Sequence, residues 1–318
     1  MTVSRPRRPE DLDAIDMDMT HRATLRDLDP PGDRAALERL WAAALGDVWP
    51  LLPAGLDLVR DGVVAQDGGA PVGVVGVAVG DGGEGGVQLL LVDPAARRQG
   101  VGTRLLEAGV ERLQAGGVTT AGLGSGGLDY LWPGVPEDLP AAAGFFAARG
   151  WRFDHTVVDL TADLRGFEAP AGVGERPGRA GVSIEVMAER DRAEALAFEA
   201  ATFPHWVVWF ERLGASVLVA RDRTGAVVGT LLFSGPPGAT IYEPLLGPEA
   251  GTIGCVGVAG AARGAGVGSA MVARASELLR DAGTRACHIG WTRRERFYAR
   301  LGYHPWRRYH MARRRLGG

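Results

Sequence analysis

The chain contains no lysine, so every basic side chain apart from histidine is an arginine. Mechanisms that need a Schiff-base lysine or a lysine as general base are thereby excluded. Cysteine is nearly absent as well. Cys255 and Cys287 are too few for a disulfide framework or a four-cysteine zinc site, and both lie in apolar stretches where a buried reduced thiol is the usual outcome. No metal is implied. No run approaches the ~20 apolar residues that cross a bilayer. Charge of one sign is scarce too: a net charge of -3 offers no general attraction for nucleic acid or membrane, and the run Arg313-Arg314-Arg315 reads as a solvated end. The stretch from Met1 to Glu10 begins basic, turns acidic and has no apolar signal core, so a cytoplasmic location is expected.

What is present is repetition. The 318 residues are about twice a usual domain of roughly 100–200 residues, which predicts two domains. Ala70-Pro71-Val72-Gly73-Val74-Val75-Gly76-Val77 resembles Ala226-Val227-Val228-Gly229-Thr230-Leu231-Leu232-Phe233. Each follows a turn signal, Asp67-Gly68-Gly69 or Arg223-Thr224-Gly225, and each predicts a hairpin. Leu90 to Gly102 then matches Val256 to Gly268 without a gap, ending in Arg97-Arg98-Gln99-Gly100-Val101-Gly102 and Arg263-Gly264-Ala265-Gly266-Val267-Gly268. Apolar positions after both motifs (Leu105, Leu106, Val110 and Leu113; Val267, Met271, Val272, Ala275 and Leu279) are spaced for one buried helix face. Gly116-Gly117 and Gly283 should stop those helices. A third pair, Phe145 to Trp151 and Phe297 to Tyr303, predicts a short helix ending at glycine and then a strand. The first copy carries an insertion around Gly124 to Pro136. Gly166 to Ala180, rich in glycine, proline and charge, reads as a linker between domains at 1–165 and 181–318.

A strand that runs through small residues into a helix presents unpaired amides and the positive end of the helix dipole to one point. Phosphate oxygens bind well there. Glycine before a helix also serves Rossmann folds and P-loops. Here, however, there is no Gly-Lys-Ser/Thr, and the leading strand lies deep in each half instead of opening it.

The twice-repeated pattern, with its Phe-Tyr-x-x-x-Gly-Tyr ending, resembles the GNAT superfamily of acetyl-CoA-dependent N-acetyltransferases over essentially the whole chain. The resemblance implies an α/β (α+β) chain of two tandem domains, each a mixed, mainly antiparallel sheet flanked by helices. It implies acetyl-CoA gripped at its pyrophosphate through backbone amides of two loops, Arg97, Arg98, Gln99, Gly100, Val101, Gly102 and Thr103 in the first and Arg263, Gly264, Ala265, Gly266, Val267, Gly268 and Ser269 in the second. It also implies a splayed fourth strand with a bulge whose amide faces the thioester, expected at Leu90 to Val92 and Val256 to Val258.

The family's tyrosine that protonates the departing thiolate falls on Tyr298, where the first half has Phe146. The first domain is accordingly expected to be the weaker or silent catalyst. Glu243 and His205 are the candidates for the general base, with a water chain as the alternative. Trp206 and Trp209 lie where the acceptor would be covered, and Tyr130 and Trp132 of the insertion are further substrate candidates; each has a bland alternative as helix or loop packing. The implied reaction is direct acetyl transfer to a primary amine of a small molecule such as an amino sugar or aminoglycoside, by a monomer or homodimer. Acetylation of a protein amine and noncatalytic acyl-CoA sensing remain open alternatives.

Overall fold

The computed structural model describes residues 23–124, 131–212 and 214–317. The first half forms β1 (Thr24–Asp27), α1 (Arg34–Leu45), β2 (Gly62–Asp67), β3 (Ala70–Val79), β4 (Glu84–Val92), α2 (Val101–Ala115), β5 (Thr120–Leu123), the short β6 (Val135–Pro136), α3 (Pro140–Ala147) and β7 (Arg152–Asp163). The second half follows the same succession after a lead-in helix: α4 (Glu175–Arg179), β8 (Ser183–Val186), α5 (Arg192–Thr202), α6 (Val207–Glu211), β9 (Ser216–Arg221), β10 (Val227–Ser234), α7 (Glu243–Leu246), β11 (Ala250–Val258), α8 (Val267–Asp281), β12 (Ala286–Thr292), α9 (Glu295–Ala299) and β13 (His304–Arg315). Helix α4 lies within the Gly/Pro-rich segment 166–180 and buries Pro177.

Local chemistry accounts for the main elements. The β2–β3 hairpin turns on two left-handed glycines, Gly68 (φ 56°) and Gly69 (φ 84°), which suit a tight two-residue turn. The β9–β10 hairpin closes on Asp222, whose Oδ1 accepts from the amides of Thr224 at 2.8 Å and Ala226 at 3.2 Å. Helix α2 buries Leu105, Leu106, Val110 and Leu113, and α8 buries Val267, Met271, Val272, Ala275 and Leu279. Each helix has one apolar stripe and therefore one face against a sheet.

Contacts divide the chain into two compact units that do not follow chain order. The first contains the described residues up to Trp132, Gly150–Arg152 and the chain end from Ala312; the second contains Pro133–Arg149 and Phe153–Met311. The first unit's strands run β1-β2-β3-β4-β5 and then the end of β13, where Arg313 and Arg315 stand opposite Gly122 and Thr120. The second unit's run β8-β9-β10-β11-β12-β7-β13. Neighbouring strands are antiparallel from β1 to β4 and from β8 to β11, and parallel at β4–β5 and β11–β12. The second unit's core joins Leu160 of β7 to Leu218, Leu231, Ile253, Met271, Leu279 and Ile289. Burying a side chain of this size contributes roughly 1.5–3 kcal/mol.

Candidate active site

The two glycine motifs fold alike. Ahead of α2 the backbone takes left-handed steps at Arg98 (φ 64°) and Gly100 (φ 79°); ahead of α8 it takes them at Gly264 (φ 86°) and Gly266 (φ 81°). The leading arginines brace the loops: Arg97 Nε donates to the Val92 carbonyl at 3.2 Å, and Arg263 Nε to the Val258 carbonyl at 3.1 Å. Gln99 likewise folds back, its Nε2 donating to the Ala95 carbonyl at 3.0 Å. With these side chains turned onto the loop, anion binding falls to the backbone. The first-turn amides of a helix have no acceptor within it; a side chain at Gly100 or Gly264 would meet open space, whereas one at Gly266 would lie 3.0 Å from Cβ of Arg176. Both cradles therefore fit a pyrophosphate, with amides of Arg98 to Gly102 offered in one and those of Gly264 to Ser269 in the other; the Thr103 amide already donates to the Gly100 carbonyl at 3.1 Å.

The strand leading into each cradle splays. Parallel pairing of β11 with β12 ends at Ile253 opposite Ile289, and that of β4 with β5 at Val87 opposite Leu123. Each leading strand also carries a bulge, which overlaps the expected positions in β11 and precedes them in β4. Thr230 stands opposite Gly257 and Leu232 opposite Gly254, so the single residue Leu231 faces both Cys255 and Val256, and Cys255 has φ 47°. In β4 the shift between Gly76 and Val77 leaves Gln88 as the extra residue. The bulge thus spans Cys255 and Val256 in β11, overlapping the expected Val256–Val258, and falls at Gln88 in β4, ahead of Leu90–Val92. Gly257 has another reason: its Cα lies under the Phe203 ring, which a Cβ would meet at 2.5 Å. Beside the bulge, Gly254 faces open space.

Tyr298 is buried on α9, its ring 4.7 Å from that of Phe297 and 6.3 Å from that of Tyr303. Burial pushes its phenol up to about 12, with Cys255 and Arg294 close enough to act on it electrostatically. The hydroxyl therefore remains a proton donor throughout the neutral range and lies near the bulge. Its counterpart Phe146, packed edge-on to Phe145 at 5.3 Å, has no proton to give.

The other sequence candidates go to different places. Glu243 turns its carboxylate onto the amide of Gly238. His205 is exposed, its ring 5.3 Å from Trp206. Trp206 stacks on Phe203 at 4.8 Å, and Trp209 lies under the Arg212 guanidinium at 4.4 Å. Through Phe203, Trp206 is linked to Gly257 and the cleft. Tyr130 lies outside the described residues. Trp132 packs in the first unit's interior against Trp41 at 5.2 Å and Trp49 at 5.4 Å. Trp132→Ala is expected to cost about 3–5 kcal/mol of stability, measurable as a fall in the denaturant midpoint, whereas a purely substrate-lining tryptophan would leave the midpoint unchanged.

Sequence reasoning passed over two buried clusters of the second unit. In one, Asp159 of β7 accepts from the Trp291 amide at 2.7 Å and the Tyr309 hydroxyl at 2.8 Å, with His288 Nε2 3.1 Å from the same carboxylate. Around it, Tyr242, His288 and Trp306 pack edge to face at 5.3–5.7 Å. In the other, Glu199 of α5 is wholly buried, accepts from the Thr230 hydroxyl and leaves Oε2 without a partner. Burial pushes this carboxyl up to about 7 and the Cys255 thiol up to about 12. An unsatisfied buried acceptor costs of order 1–3 kcal/mol, so Oε2 is a position where a donor is wanted. Neither cluster has a local sequence motif; the first forms only when β7, β12 and β13 come together, and the second only when α5, β10 and β11 do.

Comparison with known proteins gives a consistent family. The model of the acetyltransferase (GNAT) family matches residues 30–125 and 184–303. A mycothiol acetyltransferase of Clavibacter michiganensis is 29% identical over 235 residues, which cover 68% of this chain and 66% of that protein; a second, from Clavibacter sepedonicus, is 30% identical over 67% of this chain and 66% of its own. The chain thus matches just under two thirds of the length of these curated relatives. A GCN5-related glucosamine N-acetyltransferase region in a fungal multi-domain β-N-acetylglucosaminidase superposes over 92% of this chain and 38% of that one, with TM-score 0.85 and 29% identity. A tandem GNAT protein of the clavulanic acid pathway shares the fold at TM-score 0.66 and 19% identity, over 93% of this chain and 99% of that one.

Proposed function

We propose, for a chain that belongs to the acetyltransferase (GNAT) family, that its second unit transfers the acetyl group of acetyl-CoA to the primary amine of an amino sugar or a small glycoside bearing one. One observation carries the assignment to this unit. An anion cradle at Gly264–Ser269, a bulged and splayed strand at Cys255, and a protonated phenol at Tyr298 occur together there, whereas the residue of the first copy that matches Tyr298 is Phe146 on α3, which has no hydroxyl. The acceptor class is supported by the likeness to the mycothiol and glucosamine acetyltransferases.

The residues fit the following roles. Amides of the α8 cradle hold the pyrophosphate, and the bulge amide donates to the thioester oxygen as charge develops there. Tyr298 then delivers its proton to the departing sulfur. Acetyl-CoA supplies the activated acyl group, and no covalent enzyme intermediate is required. A small closed acceptor pocket and an open peptide groove predict different results in a thiol-release assay. Glucosamine and small amino glycosides are expected to release CoA thiol with acetyl-CoA, and peptides with free lysine or N-terminal amines to release little. Release with peptides alone would favour a protein acceptor, and binding without release from any amine would favour a sensor.

A further inference from the structure

We propose that Glu199 is the proton acceptor for the incoming amine in the second unit, an inference that rests on the transfer reading above. Helix α5 reads Arg-Ala-Glu-Ala-Leu-Ala-Phe-Glu-Ala-Ala-Thr, in which a glutamate is ordinarily a solvated side chain. Yet Glu199 follows Ala195 by one helical turn, and these are the two buried residues of the helix. They share the face turned inward. Thr230 of β10 donates to Oε1, which sets the carboxyl plane, while Oε2 is closed off from solvent and has no donor. Buried polar atoms normally find partners, so a lone acceptor atom next to the β11 bulge is best explained by a donor that arrives with the substrate.

Its surroundings support this. The groups that face the carboxyl from the sheet are Thr230 of β10 and Cys255 at the β11 bulge, and Cys255 interacts electrostatically with Glu199 on one hand and Tyr298 on the other. The bulge residue is therefore the common neighbour of the proposed base and the proposed acid. Burial has also moved the Glu199 carboxyl up to about 7, close to the operating pH, where a general base works best. The sequence candidates are less well placed: the Glu243 carboxylate is engaged with Gly238, and His205 is exposed.

The step balances as follows. The ammonium gives one proton to Oε2, directly or through one water, and the nitrogen lone pair forms the C–N bond to the thioester carbonyl carbon. The C–S bond breaks and its electron pair leaves on sulfur, which takes the Tyr298 proton. The second nitrogen proton, made acidic by the new bond, restores the phenol through solvent. Glu199 releases its proton to water, so one proton is produced per turnover.

The test uses Glu199→Gln in the full chain, which keeps the side-chain shape and an acceptor for Thr230, with acetyl-CoA and glucosamine as probes. The expected result is a fall in kcat of about a hundredfold to ten-thousandfold, with KM for glucosamine within a few-fold, calorimetric affinity for acetyl-CoA unchanged, and the neutral-range limb of the pH–kcat profile gone. Glu199→Asp should recover part of kcat. Infrared difference spectra should show a carboxyl band that titrates near neutrality in the wild type and is missing from Glu199→Gln. Wild-type kcat in Glu199→Gln would overturn the proposal, as would kcat, cofactor affinity and melting temperature all falling together, the pattern of a structural brace. If the wild type acetylates no amine, the transfer reading fails. The infrared band then decides separately: ionisation near neutrality with a shift on adding glucosamine sustains Glu199 as the acceptor, and a carboxyl that stays protonated overturns it.

Discussion

Tyr298→Phe is expected to acetylate an accepted amine about a hundred to ten thousand times more slowly than the wild type, roughly 3–5 kcal/mol of barrier. The loss belongs in kcat, because the phenol acts on the departing sulfur and not on either bound substrate. A CoA thiolate, with a thiol pKa near 8.5, leaves with a developing negative charge that a hydrogen bond or proton from the phenol stabilises. Burial holds the Tyr298 phenol up to about 12, so its proton is in place at every working pH. The variant keeps the ring against Phe297 and Tyr303, and stability is expected to change by less than about 1 kcal/mol. If Tyr298 were only a core aromatic, steady-state kcat would be near normal. Phe146→Tyr is expected to leave turnover unchanged, since the second unit already has its phenol.

The second large effect is expected at the cradle. Gly266→Val should lower the calorimetric affinity of the second unit for acetyl-CoA at least tenfold, which is about 1.4 kcal/mol or more. Two costs combine. A left-handed φ of 81° opposes a β-branched residue by about 1–2 kcal/mol, and the added Cβ would lie 3.0 Å from Cβ and 3.1 Å from Cδ of Arg176. The loop must change shape, and the amides lose their common focus. Gly264→Ala is the matched control: its φ of 86° is also left-handed, but a Cβ there meets nothing, and the first loop already carries a side chain at the equivalent Arg98 with φ 64°. Its affinity should stay within a few-fold of wild type. Heat remaining in Gly266→Val belongs to the first-unit cradle and should disappear when Gly100→Val is added. Unchanged titration of the second site in Gly266→Val would remove this loop from the cofactor site.

Features set by short-range patterns were the most legible in the sequence. The hairpins, the buried stripes of α2 and α8, and the glycine stops depend on spacings of two to four residues, and each is visible as such. The cradle was legible because its glycines must adopt left-handed backbone, whereas the bracing of Arg97 and Arg263 onto the strand ends depends on the folded loop and has no signal in the sequence. The β11 bulge begins at Cys255, just ahead of the stretch the sequence points to, because Gly257 signals close approach as well as bulging, and only the pairing of Thr230 with Gly257 separates the two. Glu199 was illegible for a deeper reason. A glutamate in an alanine-rich helix has the same local pattern whether it faces water or β10, and which face turns inward is decided by strands more than twenty residues away in sequence. Asp159 was hidden in the same way, because its partners Trp291 and Tyr309 arrive on β12 and β13.

The central claim, that the second unit moves an acetyl group from acetyl-CoA to a sugar amine, is tested most directly by following carbonyl-labelled acetyl-CoA and glucosamine by NMR with wild type and Tyr298→Phe side by side. In the wild type the label is expected to pass from the thioester to an amide carbonyl on the glucosamine nitrogen, one equivalent for each CoA thiol released, with the rate falling at least a hundredfold in Tyr298→Phe. A thioester signal that binds to the protein yet persists with glucosamine and every other primary amine offered, or an amide signal that grows equally fast in both proteins, would contradict the account.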